Sequence, residues 1–124
     1  MIKILIADDE PDVLLILSER LRRSGYEVEY APDGTQAVQK AEQTAYNLLI
    51  LDIRMPGYTG YEVCQHAKSS EKNGKTPVLL ISAFPEERVV WQQSKANAFL
   101  AKPFETGQLI TTVERLLKEG QHRT

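Results

Sequence analysis

Short apolar runs and amphipathic stretches take turns along this chain. Ile2 to Ala7, apolar except for Lys3, predicts a first strand. Leu48 to Leu51 predicts a third, ending in Asp52, and Val78 to Ile81, opened by Pro77, a fourth. Runs without a polar face suit strands buried on both sides, as in parallel sheets covered by helices. Tyr26 to Tyr30 reads differently, because Val28 alternates with Glu27 and Glu29. That rhythm predicts an edge strand with one wet face. Ala98 to Ala101 is a short fifth strand.

The segments between these runs carry helical spacing. Pro11 to about Arg23 predicts a helix with Pro in its first turn, where no amide donor is needed. Val13, Leu14, Ile16, Leu17 and Leu21 are assigned to its inner face and Leu15 to the outer one, with Gly25 as C-terminal cap. After an Asp33-Gly34 turn, Ala37, Val38, Ala41 and Ala45 line a second helix. A third, about Thr59 to Ser69, turns Val63, Cys64 and Ala67 inward. A weaker fourth helix, Glu86 to Ala96, would face Val89, Val90, Gln93 and Ala96 inward and Trp91 outward. The last, about Glu105 to Glu119, is expected to stop at Gly120. Five strands alternating with five helices predict a single doubly wound α/β domain with helices on both faces of a parallel sheet. Residues 1–120 form that domain and 121–124 a short tail.

This arrangement collects the conspicuous polar residues. Asp8 and Asp9 follow the first strand, Asp52 ends the third, Ser82 follows the fourth and Lys102 the fifth. Asp52 by itself could simply begin a turn. Four strand ends carrying acid, acid, hydroxyl and ammonium meet at one edge of a parallel sheet, where open α/β sheets bind ligands. Three clustered carboxylates require a cation or a proton. An all-oxygen set suits Mg²⁺, and the lack of thiolates and convergent histidines argues against zinc or copper. A carboxylate can also act as a nucleophile and form an acyl phosphate. A lysine and a hydroxyl would then neutralise the phosphoryl oxygens.

Composition narrows the field further. The 124 residues carry a formal net charge of −2, with no basic stripe for nucleic acid and no apolar run long enough for a membrane span. Cys64 is the only cysteine, so an intramolecular disulfide is impossible; a buried core role suits it. His66 and His122 read as surface residues. These features point to the cytoplasm.

The motifs ILIADDEPD, LLILDIRMPGYTG, LLISA and FLAKPF, in this order and spacing, resemble the receiver (CheY-like) domain of two-component response regulators, in its single-domain form, over roughly Ile2 to Leu117. The resemblance implies a flavodoxin-like sheet of order 2-1-3-4-5, an order that the pattern alone does not dictate. It implies Asp52 as phosphoacceptor, Asp8, Asp9 and Asp52 with the backbone carbonyl of Arg54 as Mg²⁺ ligands, and Lys102 at the phosphoryl group. It implies Ser82 and Phe99 as switch residues, and a cis Lys102-Pro103 bond. Arg54 and Phe84 match positions flanking the path of attacking water.

A sensor histidine kinase or histidine phosphotransfer protein would donate the phosphoryl group. An unknown downstream protein, or a second copy in a homodimer, would read the surface of the fourth helix, fifth strand and fifth helix, with Trp91 as an anchor. The segment from Ser82 to Lys102 is about two residues shorter than the family pattern. Lys95-Ala96-Asn97 stands where Gly-Ala-Asp is common, and the glycine that ends the fourth helix is missing. The alternatives are a receiver-like interaction module independent of phosphorylation and a small phosphate-ester hydrolase. The full set of site residues argues against the first, and short loops without a substrate pocket against the second.

Overall fold

The computed structural model describes residues 1–84 and 94–121. Five strands, β1 (Lys3–Ala7), β2 (Glu27–Ala31), β3 (Leu48–Asp52), β4 (Val78–Ser82) and β5 (Ala98–Ala101), form one parallel sheet in the order β2-β1-β3-β4-β5. The described helices are α1 (Pro11–Arg23), α2 (Gly34–Gln43), α3 (Gly60–Lys68) and α4 (Thr106–Gln121). Sheet order, strand number and a doubly wound architecture agree with the expectation. Among the described residues no helix is long and apolar enough to cross a membrane.

The pleat of the central strands explains the two-layered core. Ile4 and Ile6 of β1 point to one face, with Leu48, Ile50, Leu79 and Ile81. Leu5 and Ala7 point to the other, with Leu49, Leu51, Val78 and Leu80. On the first face α1 and α4 contribute Leu14, Leu17, Leu21, Leu109, Val113, Leu116 and Leu117. On the second, α2 and α3 contribute the smaller Ala37, Val38, Ala41, Val63, Cys64 and Ala67. Each large aliphatic side chain so buried stabilises the fold by roughly 1.5–3 kcal/mol. The wet alternation of β2 and its edge position are both present. Cys64 is buried, and burial pushes its thiol up to about 11. His66 is exposed, its ring edge-on to Tyr58 at 5.0 Å.

Four details differ from the pattern-based expectation. Ile16 is 60% exposed, because the stripe that α1 buries is Leu14, Leu17, Ser18 and Leu21. At 100° per residue Ile16 lies roughly 150° from the centre of that stripe. Polar Ser18 holds the inward place. Ala45 lies beyond the end of α2 and is exposed, with Tyr46 buried in its stead. Gly120 does not stop the last helix, which runs to Gln121; a glycine costs a docked helix only ~1 kcal/mol. Ser94 to Ala96 are not helical, so the expected fourth helix does not reach Ala96. The rest of that helix, with Val89, Val90, Trp91 and Gln93, lies outside the described residues.

At the end of the molecule away from the acidic residues, Asn73 ties three segments together. Its side chain accepts from the Tyr46 amide and Thr76 hydroxyl at 2.9 and 3.0 Å and donates to the Ala41 and Thr44 carbonyls at 2.6 and 2.9 Å. It is fully buried, so each of these bonds satisfies a group cut off from water.

Candidate functional site

The C-terminal edge of the sheet brings the predicted acids and the lysine together. Asp8 follows β1 and is fully buried. Its amide donates to the Ala31 carbonyl at 3.2 Å, and its Oδ1 accepts from the Glu10 amide at 2.9 Å, which fixes the turn into α1. Asp52 closes β3 at 5% exposure. Asp8, Asp9, Glu10 and Asp52 each offer a carboxylate oxygen, and these atoms lie within 4.8 Å of one another. Asp9 and Glu10 are exposed, so the cluster opens to solvent on one side.

Lys102 supplies the counter-charge. Its amide donates to the Ser82 carbonyl at 2.7 Å, and the bond to Pro103 is cis, as the resemblance implied. Its Nζ stands 2.8 Å from Asp8 Oδ2, 3.2 Å from Glu10 Oε1 and 3.6 Å from Asp52 Oδ2. Burial works against the ammonium, but the hydrogen bond to Asp8 and the charges of Asp52 and Asp8 outweigh it and leave the lysine pKa raised. One lysine does not neutralise the cluster. Burial first, then the Asp8 charge, push Asp52 up to about 7, with Asp9 adding to the rise and Lys102 opposing it. The site therefore carries more negative charge than its single ammonium balances.

Ser82 ends β4 next to Ile81, the register partner of Asp52. It is buried, and its hydroxyl accepts from the Phe84 amide at 3.0 Å. Phe99 on β5 is half-buried and packs on the α2/α3 side of the core. The guanidinium of Arg54 lies over the exposed ring of Phe84, 3.7 Å from its centroid. This contact bridges the loops after β3 and β4. Trp91 lies outside the described residues.

Two contributors go beyond the sequence pattern. Glu10 stands in the sequence only as part of an acidic run, yet it shares Lys102 with Asp8. Gly34, expected as a turn residue, is the first residue of α2, and its amide donates to the Pro56 carbonyl in the loop after Asp52. The acidic triplet hints at the first. Nothing local in the sequence points to the second, because the contact spans separate elements.

The family model for the response regulator receiver domain matches residues 4–114. The chain belongs to the receiver domains of two-component response regulators. It is 33% identical over 121 residues to the alkaline phosphatase synthesis transcriptional regulatory protein PhoP of Bacillus subtilis, covering 96% of this chain and 50% of that protein. The chain spans about half the length of the curated relatives it matches.

Among solved structures, the response regulator TrrA of Thermotoga maritima in complex with Mg²⁺-BeF superposes with a TM-score of 0.85 at 34% identity, covering 94% and 99% of the two chains. The receiver domain of a sensor histidine kinase of Pseudomonas aeruginosa, with magnesium coordinated in its active-site cleft, gives 0.86 at 30% identity, covering 94% and 97%. The donor set of the present receiver fits the same ion. It is all oxygen and anionic, it is partly open to water, and burial and crowding push its Asp52 toward protonation.

Proposed function

We propose that this receiver is a phosphoacceptor switch in which Asp52 takes a phosphoryl group from a phosphohistidine on a sensor kinase or phosphotransfer protein. The observation that carries the reading is the convergence of the acidic cluster and Lys102 on Asp52. The Asp52 carboxylate attacks phosphorus, the phosphorus–nitrogen bond breaks, and the histidine leaves with its electron pair. Asp8, Asp9 and Asp52, with the Arg54 carbonyl, would hold Mg²⁺, which when bound neutralises charge on the phosphoryl oxygens. Lys102, whose Nζ is 3.6 Å from Asp52 Oδ2, would exchange Asp8 and Glu10 for a phosphoryl oxygen. Ser82 gives up its Phe84 amide contact and donates its hydroxyl to another oxygen.

The domain assists its own phosphorylation and dephosphorylation and is not an enzyme acting on a separate substrate. The movement of Ser82 and the turning of Phe99 bias two pre-existing states of the surface made by β5, α4 and the segment that includes Trp91. A downstream protein, or a second copy of the chain, reads that surface. The compartment is the cytoplasm, where an unpaired buried cysteine is usual. The test is intact-protein mass spectrometry after acetyl phosphate, with Mg²⁺ or with chelator. One phosphoryl group should appear on the wild type with Mg²⁺ only, and none on Asp52→Asn. Equal labelling of both proteins refutes the assignment.

A further inference from the structure

The loop that follows Asp52 sends Ile53 and Met55 into the core, and its remaining contacts run through backbone. Gly60 opens α3 and donates its amide to the Ile53 carbonyl at 2.8 Å. A Cβ there would stand 2.5 Å from the Asp52 carbonyl oxygen and 2.9 Å from the Ile53 Cα. On its outer side the same loop lies against the first turn of α2. The Gly34 amide donates to the Pro56 carbonyl at 3.0 Å, satisfying a helix-terminal donor that has no partner within α2. A Cβ on Gly34 would stand 2.6 Å from both the carbonyl carbon and the amide nitrogen of Tyr58, and closer still to its oxygen. Gly57, at φ +82°, passes directly against Thr35. Asp33 meanwhile caps α2 by accepting from the Gln36 amide at 2.8 Å, so the end of the helix is held from within as well.

We propose that Gly34 is a positioning residue for the phosphoacceptor site: its missing side chain lets the loop from Ile53 to Thr59 seat on α2, and that seat sets where Asp52 and the Arg54 carbonyl stand. The inference rests on Asp52 being the phosphoacceptor. The nearest atoms a Gly34 side chain would meet are backbone atoms of Tyr58, so no rotamer change relieves the overlap. Either α2 or the loop must move, on the order of 1 Å. The α2 side is anchored by Ala37, Val38 and Ala41 in the core, and Ile53 and Met55 hold the start of the loop there too, whereas Arg54, Pro56 and Gly57 are exposed and Tyr58, which the new Cβ would meet, is only partly buried. The loop therefore yields. A displacement on the order of 1 Å at a reacting group can cost ~10²-fold in rate.

The experiment compares Gly34→Ala with two controls. Gly25→Ala carries backbone strain, at φ +93°, with nothing nearby, and Gly107→Ala meets open space. Folding is followed by circular dichroism and urea unfolding. Metal affinity is read with Mn²⁺ by paramagnetic relaxation, and the labelling rate with acetyl phosphate at saturating Mg²⁺. Gly34→Ala should fold yet lose about tenfold or more in metal affinity, labelling rate or both. Gly25→Ala should lose stability while keeping both readouts within about twofold of wild type, and Gly107→Ala should keep everything. A folded Gly34→Ala protein with both readouts within twofold of wild type overturns the proposal.

Should Gly34→Ala fail to fold, Gly57→Ala and Gly57→Ala/Thr35→Ala decide: both carry the strain of φ +82°, but only the second removes the Thr35 Oγ1 that the new methyl group meets, so recovery is read as improvement over Gly57→Ala alone. Recovery in the double variant supports seating on α2, and no recovery overturns it. Wild type that binds Mn²⁺ but takes no phosphoryl group would defeat the phosphoacceptor reading alone. The metal arm would still test the seat.

Discussion

Replacing Asp52 by Asn should stabilise the metal-free protein above neutral pH. Burial and the Asp8 charge raise the Asp52 pKa from 3.8 to about 7. The folded chain therefore holds a proton between about pH 4 and 7 that the unfolded chain has released. Stability from this group is fully present below pH 4, falls as pH rises through that window, and is lost above 7. At ~1.4 kcal/mol for each tenfold change in proton affinity, the ceiling of the penalty is ~4 kcal/mol. Asn removes the charge but ends the 3.6 Å attraction to Lys102, which keeps Asp8 and Glu10 as partners. It also buries an amide that needs a partner, at ~1 kcal/mol or more. The net expectation is that Asp52→Asn gains ~1–3 kcal/mol at pH 8 in chelator, and that the gain vanishes toward pH 4.

Urea unfolding of both proteins at pH 4, 6 and 8 measures this directly. Mg²⁺ provides a second axis: at ten times its dissociation constant it should stabilise the wild type by ~1.4 kcal/mol and the variant by much less. A wild type as stable as the variant at pH 8 in chelator, or a difference independent of pH, would refute the electrostatic account of the cluster.

Other expectations follow from named contacts. Arg54→Ala and Phe84→Ala should each speed hydrolysis of the acyl phosphate if the stacked pair, at the positions that flank the path of attacking water in the family, shields Asp52; if neither change accelerates loss of label, the pair shields nothing. The double variant should match the singles if the two side chains act as one unit. Asn73→Ala should cost ~2–4 kcal/mol in urea unfolding, since it strands several buried groups at once, while leaving Asp52 labelling unchanged. Ser18→Ala should raise stability by ~1 kcal/mol, because the Ser18 hydroxyl is buried without a partner among the described residues. Trp91, the only tryptophan, should change fluorescence on addition of beryllofluoride with Mg²⁺ if it belongs to the switching surface; an indifferent signal would remove it from that surface.

The alternation of apolar runs and helical stripes already specified a parallel sheet with helices on both faces, because burial on two sides leaves no room for polar residues in the central strands. It also placed Asp8, Asp9, Asp52, Ser82 and Lys102 at one edge, since each follows or ends a strand and parallel strands end together. Side-chain period alone did not decide which way a single residue on a helix turns. Ile16 and Ser18 exchanged the places that hydrophobicity would assign, because the position of the α1 stripe against β1 and β2 is a matter of packing. Nor could spacing show that Glu10 shares Lys102, that Asn73 joins α2, the segment before β3 and the loop before β4, or that Gly34 carries the loop after Asp52. Each of those contacts joins residues distant in the chain. Local pattern records which face of an element is buried, whereas the neighbour that occupies the space opposite is chosen only when the elements dock.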